Sequence, residues 1–381
     1  MPWQEQTTMA LRQEFCRLAE REGANLSELC RRYGISRPTA YTWLARWQAE
    51  GVAGLRDRSH RPLSSPHQTD LETETRVLAL RDAHPSWGGR KLRQALLLAG
   101  ATEVPAASTI TAIVRRSGRA LATRPDPPAT QRFEAPCPND LWQMDFKGHV
   151  ALAQGRLHPL VVEDDHSRLV LGLFACANEQ GATVQPHLIT LFERYGLPRR
   201  LLCDNGPPWG APQGDLTTLS AWLVRLGITV LHGRPRHPQT QGKLERVNRT
   251  LGAEVLTGRL YADLVSAQTA FDGWRDCYNQ ERPHDALGGA TPLSRYQLSD
   301  HPYPGERPPL TYEPGDHERR VSADGKITFR GTRYYVSRAL QHETVAVRGY
   351  ANGGHAIYFG SHRVRELKLP DPVRPIDPEP V

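Results

Sequence analysis

The chain has 381 residues, more than one compact unit usually holds at ~100–200 residues per domain, and this predicts roughly two to four domains. Its 39% hydrophobic and 23% charged residues suit a soluble globular protein, and Gly 32 with Pro 31 implies many turns and linkers, which excludes a disordered or fibrous chain. No apolar run approaches the ~20 residues of a spanning helix, and the opening MPWQEQTTMALRQEF lacks the charged-then-apolar order of a signal peptide, so no membrane association and a cytoplasmic location are expected.

The six cysteines, Cys16, Cys30, Cys137, Cys176, Cys203 and Cys277, include no C-x-x-C pair, which argues against a disulfide framework or a cysteine zinc site. Net charge is +7, and residues 1–125 alone hold 19 Lys/Arg against 12 Asp/Glu. The rest of the chain is therefore close to neutral. A basic N-terminal third suits a polyanion such as nucleic acid, although a solvated basic surface has the same composition.

Leu11, Phe15 and Leu18 recur with helical spacing, and a second apolar set, Leu26, Leu29 and Tyr33, follows Asn25 as N-cap. After Gly34, Ser36 can cap a third helix whose apolar face is Ala40, Trp43, Leu44 and Trp47. Two short helices joined through a glycine turn form the helix-turn-helix signature, which places Ser36, Arg37, Thr39, Tyr41 and Thr42 where such motifs meet base edges. A plain three-helix bundle would show the same stripe. A second helical unit, winged-helix or helix-turn-helix-like, is expected over 61–120, with helices near 71–83, 89–99 and 108–117, the last capped by Ser108. RPDPPATQRFEAPCPND, with five prolines and no periodicity, marks a linker over 121–139.

From residue 140 the pattern turns to strands. LWQMDFKGHVAL, GRLHPLVVEDD and RLVLGLFACA form a meander; a helix over 181–195, the strand RRLLCD, a helix over 215–226, the strand ITVLHG and two helices near 239–257 and 263–281 follow. The order βββαβαβαα describes an α/β core over 140–298, a mixed sheet with helices on its faces. KITFRGTRYYVS, TVAVRG and HAIYFG then suggest a small β-barrel within 299–381.

Three carboxylates stand out in that core. Asp145 sits inside the first strand between Trp142 and Phe146, Asp204 ends a buried strand before Asn205-Gly206, and Glu245 lies on the helix of HPQTQGKLERVNRT. A carboxylate in an apolar strand is costly unless it binds a cation or is paired. Carboxylates from a strand, a neighbouring strand end and a helix can converge on a pair of hard divalent ions. Asp164 and Asp165 lie at a strand-turn, where Asx side chains serve the backbone, and are read as structural. Glu254, nine residues after Glu245, faces away from it and is read as solvated. The run Arg234, Arg236, Lys243, Arg246 and Arg249, with Asn248, surrounds Glu245 and suits phosphate contacts, with a surface charge run as the alternative. His232, His237 and His284 fit either substrate placement or loop hydrogen bonding.

The stretches LWQMDF, VVEDDHSRLV, CDNGPPW, LGITVLHGRPRHPQTQGKLERVNRTLGAEVL and YNQERPHDALGGATPLSRY resemble bacterial insertion-sequence transposases of the retroviral-integrase superfamily. HPQTQGKLER is the most specific of them. The separation of Asp204 from Glu245, 41 residues with GPPWGAPQGD inserted, is longer than the integrase pattern. The resemblance implies a ribonuclease-H-like fold and an Asp-Asp-Glu triad of Asp145, Asp204 and Glu245. It also implies phosphoryl transfer with two Mg²⁺ ions, Mn²⁺ being able to substitute, and Asp145 shared between them. Cleavage at element ends would be followed by 3′-hydroxyl strand transfer into target DNA. The N-terminal helices, which stand in place of a zinc-binding His-His-Cys-Cys domain, would bind the terminal inverted repeats. A homo-oligomer of at least two chains, associated with a bacterial nucleoid, is implied as well. The competing readings are an inactive sequence-specific DNA-binding regulator and a structure-selective nuclease on the same fold.

Overall fold

The structure is a computed structural model that describes residues 7–59, 68–119, 134–211, 215–233, 242–351 and 353–368. The chain divides into two compact units, Met1–Thr69 and Asp70–Val381.

The first unit holds α1 (Thr8–Ala19), α2 (Leu26–Tyr33) and α3 (Arg37–Glu50). Their ends follow from side-chain capping. Thr7 accepts from Ala10 N–H, Asn25 from Ser27 and Glu28 N–H, and Ser36 from Thr39 N–H, each satisfying donors that a helix start leaves open. Gly34 closes α2 at φ 64°, a left-handed conformation that costs a residue without Cβ little. Phe15, Cys16, Cys30, Ala40 and Leu55 form the small core, with Trp43, Leu44 and Trp47 packed around it.

In the second unit, α4 (Leu71–Ala83), α5 (Gly89–Leu98) and α6 (Ala107–Arg116) enclose Val77, Trp87, Leu92, Leu96, Ile110, Ile113 and Val114. Ser108 is not the cap of α6: the helix starts at Ala107 with Ala106 at its cap position, and no side chain serves that end. Buried Arg81 ties the unit together by donating to the carbonyls of Trp87 and Arg119.

The mixed sheet runs β4–β3–β1–β5–β6, built from β1 (Leu141–Phe146), β3 (Arg156–Asp164), β4 (Val170–Cys176), β5 (Arg200–Cys203) and β6 (Thr229–His232), with the short β2 (Val150–Ala151) paired to the start of β3. β1, β3 and β4 are antiparallel neighbours, whereas β1, β5 and β6 run parallel. Strand alternation sorts the side chains by face. Trp142, Met144, Leu160 and Val162 pack with α7 (Gly181–Tyr195) and α8 (Thr218–Arg225). Val161, Val170 and Leu173 pack with α9 (Gly242–Leu251) and α10 (Leu264–Gln280).

The C-terminal region is not a closed barrel. β7 (His317–Arg320), β10 (Thr344–Gly349), β11 (His355–Phe359) and β12 (His362–Leu367) form an open antiparallel sheet, and β8 (Lys326–Phe329) pairs only with β9 (Thr332–Tyr335). KITFRGTRYYVS is thus a hairpin, turning at Arg330 (φ 48°) and Gly331 (φ 79°), the two positive φ values of a tight hairpin turn. Closure is unnecessary because Val345, Val347, Ile357 and Phe359 join the same apolar cluster as Trp222 and Val224 of α8. The core helix covers the face that a barrel would have turned inward.

Glu254 corrects the sequence reading. It lies in a π-helical turn, Gly252–Leu256, that continues α9, and its carboxylate is covered rather than solvated. Trp274 Nε1 donates to it at 2.7 Å, Arg282 at 2.5 Å and the Ser86 hydroxyl as well. Burial pushes its carboxyl up, but the Arg282 guanidinium and the three hydrogen bonds outweigh it and hold the group below the usual range. Glu254→Gln leaves Arg282 buried without its counter-charge. We expect a loss on the order of 3 kcal/mol in denaturant unfolding, whereas a loss under about 0.5 kcal/mol would make the pair equivalent to an exposed one.

Candidate active site

Asp145 stands opposite Val161 across the β1–β3 pair, so it lies on the sheet face covered by α9. In the parallel β1–β5 pair Gln143 is level with Leu202, and Asp204 follows directly on the end of β5 at Cys203. Burial, and then the Asp204 carboxylate, push the Asp145 carboxyl up to about 7, with Glu179 and Glu245 acting in the same direction. Asp204 is also raised, first by burial and further by Glu179, against a 3.3 Å hydrogen bond from Gly206 N–H and the attraction of His232. Asp145 thus feels the charge of both Asp204 and Glu245, although among the described residues the three carboxylates are not drawn within 4.8 Å of one another. Glu245 is exposed.

The loop bearing Asp204 is fixed locally. His232 Nδ1–H donates to Asp204 O at 2.8 Å, and Asn205 Nδ2 donates to Gly233 O at 2.7 Å. His232 thus has a loop-holding contact. His284 is half-buried: its ring packs edge-on to Tyr278, and burial, then Arg282 and Lys91, push it down to about 3. His237, Arg234 and Arg236 lie outside the described residues.

α9 is amphipathic by position. Leu244, Val247 and Leu251 are buried, while Glu245, Arg246 and Arg249 are exposed. Asn248 is half-buried, and among the described residues its Oδ1 has no hydrogen-bond partner. Lys243 does not extend as a phosphate-gripping side chain would. Its ammonium lies 2.5 Å from the fully buried Asp165 carboxylate, and the side chain is only 18% exposed. Asp165 also accepts from Ala135 N–H at 2.6 Å and Gln143 Nε2 at 2.5 Å. Asp164 accepts from Asn139 N–H, Ser167 N–H and the Ser167 hydroxyl. Both aspartates are structural, as read from the sequence. What the sequence did not disclose is that Asp165 receives the first turn of the Glu245 helix.

One acidic residue was missed. Glu179 sits between β4 and α7, accepts from His158 Nδ1–H at 2.8 Å, and acts on both Asp145 and Asp204. Nothing in ANEQG signals this, because a lone Glu in a connector has no periodic context.

In the first unit, Arg37, Thr39 and Tyr41 are all exposed at the start of α3, Tyr41 to 54%. Thr39 Oγ1 is 2.8 Å from Ser36 Oγ, so part of its hydrogen-bonding capacity serves the cap. Arg37 and Tyr41, one turn apart, share a face.

Comparison with known proteins fits this architecture. Residues 135–238 and 226–292 match the integrase core domain family. Residues 12–62 match a helix-turn-helix domain, 39–114 a homeodomain-like domain, and 316–371 the C-terminal domain of IS481 family transposases. The chain is 26% identical over 277 residues to the insertion element IS476 uncharacterized 39.2 kDa protein of Xanthomonas euvesicatoria, covering 71% of this chain and 78% of that one. It is 27% identical over 156 residues to the insertion element IS407 uncharacterized 31.7 kDa protein of Burkholderia multivorans, covering 41% and 54%. A chain of the simian T-cell lymphotropic virus intasome in complex with PP2A regulatory subunit B56 gamma superimposes with a TM-score of 0.39 at 16% identity, covering 77% of this chain and 99% of that one. Integrase-core, helix-turn-helix and transposase C-terminal domains follow one another along a sequence related to insertion-element proteins, which supports an insertion-sequence transposase of the DDE integrase superfamily.

Proposed function

We propose that this protein cleaves DNA at the ends of its element and joins the freed 3′-hydroxyls to target DNA, with Asp145, Asp204 and Glu245 holding two Mg²⁺ ions that Mn²⁺ can replace. The observation that carries the reading is the Asp145 carboxyl, desolvated on a core strand and crowded by Asp204 until it rises to about 7. Such crowding is relieved when a cation is shared, and an all-oxygen donor set fits a hard dication. Bound Mg²⁺ supplies Lewis-acid stabilisation of the phosphate and an acidified attacking hydroxyl.

The chain's own groups do the rest. The Lys243–Asp165 pair sets the first turn of α9 and with it Glu245. Exposed Arg246 and Arg249 flank that carboxylate where a DNA backbone would lie, and Arg234, Arg236 and Asn248 belong to the same interface. Arg37, Thr39 and Tyr41 read the terminal repeat in the major groove. Two ends must be joined, so the working species is at least a dimer on DNA.

Asp145→Asn, Asp204→Asn and Glu245→Gln should each abolish cleavage and strand transfer while leaving end binding nearly intact. Substantial strand transfer by any purified variant would sink the assignment. Stability supplies a second readout. Because Asp145 holds its proton more tightly folded than unfolded, it makes the metal-free protein less stable as pH rises from about 4 to about 7. At about pH 8, Asp145→Asn should therefore melt higher than wild type without metal, and it should lose most of the rise that Mg²⁺ gives wild type.

For sequence reading, Arg37→Ala or Tyr41→Ala should weaken binding to the terminal repeat by ~1–3 kcal/mol and hardly affect random DNA. Equal losses on both in a gel-shift titration would make them phosphate contacts.

The α9 cations should separate by role. Arg246→Ala and Arg249→Ala should lower end affinity and flatten its salt dependence by about one unit of slope per lost phosphate contact. Lys243→Met should leave that slope unchanged and reduce turnover, since its partner is Asp165. Fluorescence anisotropy over a salt series distinguishes the two; a Lys243 slope change matching Arg249 would return it to the phosphate contacts.

A further inference from the structure

Three donors of mixed type meet away from the carboxylate centre, where the α4–α5 connection packs on the end of α10. Cys277 and Glu281 are one helical turn apart and share a face, and His84 follows the last turn of α4. One ligand atom from each of the three lies within 4.8 Å of the others. We propose that His84, Cys277 and Glu281 form a Zn²⁺ site that ties the second helical unit to the catalytic core.

The distances suit it. Cys277 Sγ is 3.8 Å from His84 Nδ1, and tetrahedral zinc, with bonds of ~2.3 Å to sulfur and ~2.0–2.1 Å to nitrogen, holds such atoms ~3.5 Å apart. The Glu281 carboxylate now lies 3.8 Å from His84 Nε2, the other ring nitrogen, but its side chain is 62% exposed and can swing to the Nδ1 side. The imidazole is held in place by stacking on Trp87, at 3.8 Å between ring centres and 6° between planes. Burial keeps that ring neutral at physiological pH, the state a metal ligand needs. Cys277 is half-buried against the Val77, Trp87 and Leu92 cluster. Burial, and then Glu281 and Glu254, push its thiol up to about 11, so without a cation it stays protonated.

On binding, the Cys277 S–H bond gives its proton to solvent and a sulfur–zinc bond forms. Thiolate and carboxylate then cancel the two positive charges of the ion, and a water completes the tetrahedron on the exposed Glu281 side.

Titration of the full-length protein with Co²⁺ tests this, because thiolate-to-cobalt charge transfer absorbs in the near ultraviolet and the all-oxygen carboxylate centre cannot produce it. We expect a one-to-one band that Zn²⁺ displaces. Cys277→Ser should abolish it, and His84→Ala or Glu281→Gln should weaken binding at least ~10-fold. Glu281 is exposed, so its substitution leaves folding intact and keeps the test sound if Cys277→Ser folds poorly. No band, or one unchanged in the Glu281 variant, overturns the site. A band that survives Cys277→Ser belongs to another thiol, such as Cys203, 3.7 Å from His232 Nδ1, and overturns it equally.

Discussion

Like-charge crowding is the constraint around which the core is arranged. Asp145 lies on β1, and Asp204 follows directly on the end of its parallel neighbour β5, in a loop held by Gly206 N–H and His232. The sheet therefore holds in place two carboxylates that water and entropy would separate, and burial of Asp145 sharpens their repulsion.

The third carboxylate is placed differently, by a helix whose own position is secured at both ends. At its start Lys243 is drawn into the fold by Asp165, which also accepts from Ala135 N–H and Gln143 Nε2. At its far end the π turn delivers Glu254 to Arg282, Trp274 and Ser86. Between them Leu244, Val247 and Leu251 bury against β3, β4 and α10. Glu245 is thus exposed on a well-anchored element.

Much of this was legible because its signals are periodic. LWQMDF carries the apolar composition of a strand buried on both faces, against which Asp145 stands out; Asn25 and Ser36 cap where short polar side chains before apolar stripes predict. The residues that escaped reading are those whose environment is set by distant chain. Periodicity gives the direction in which Glu254 points but not that Ser86, 168 residues earlier, will cover it. Lys243 looked like one more member of a basic run because Asp165 announces neither its depth nor its spare acceptor. The open C-terminal sheet has the strand composition of a barrel, and only the presence of α8 beneath it removes the need for closure. Glu179 carried no pattern at all.

The contact of Ser86 and Arg282 with Glu254 bears on how such proteins can be recombined. A cut through the proline-rich stretch over 121–139 looks natural on composition, yet it separates Ser86 from a carboxylate that also serves the helix bearing Glu245. A chimera joined there would inherit a catalytic core with one wall missing, even if each half folded. The division at Thr69/Asp70 keeps that wall whole. Natural exchange of sequence-reading heads among relatives should therefore leave its seams near residue 70, with the second helical unit travelling together with the core that it braces.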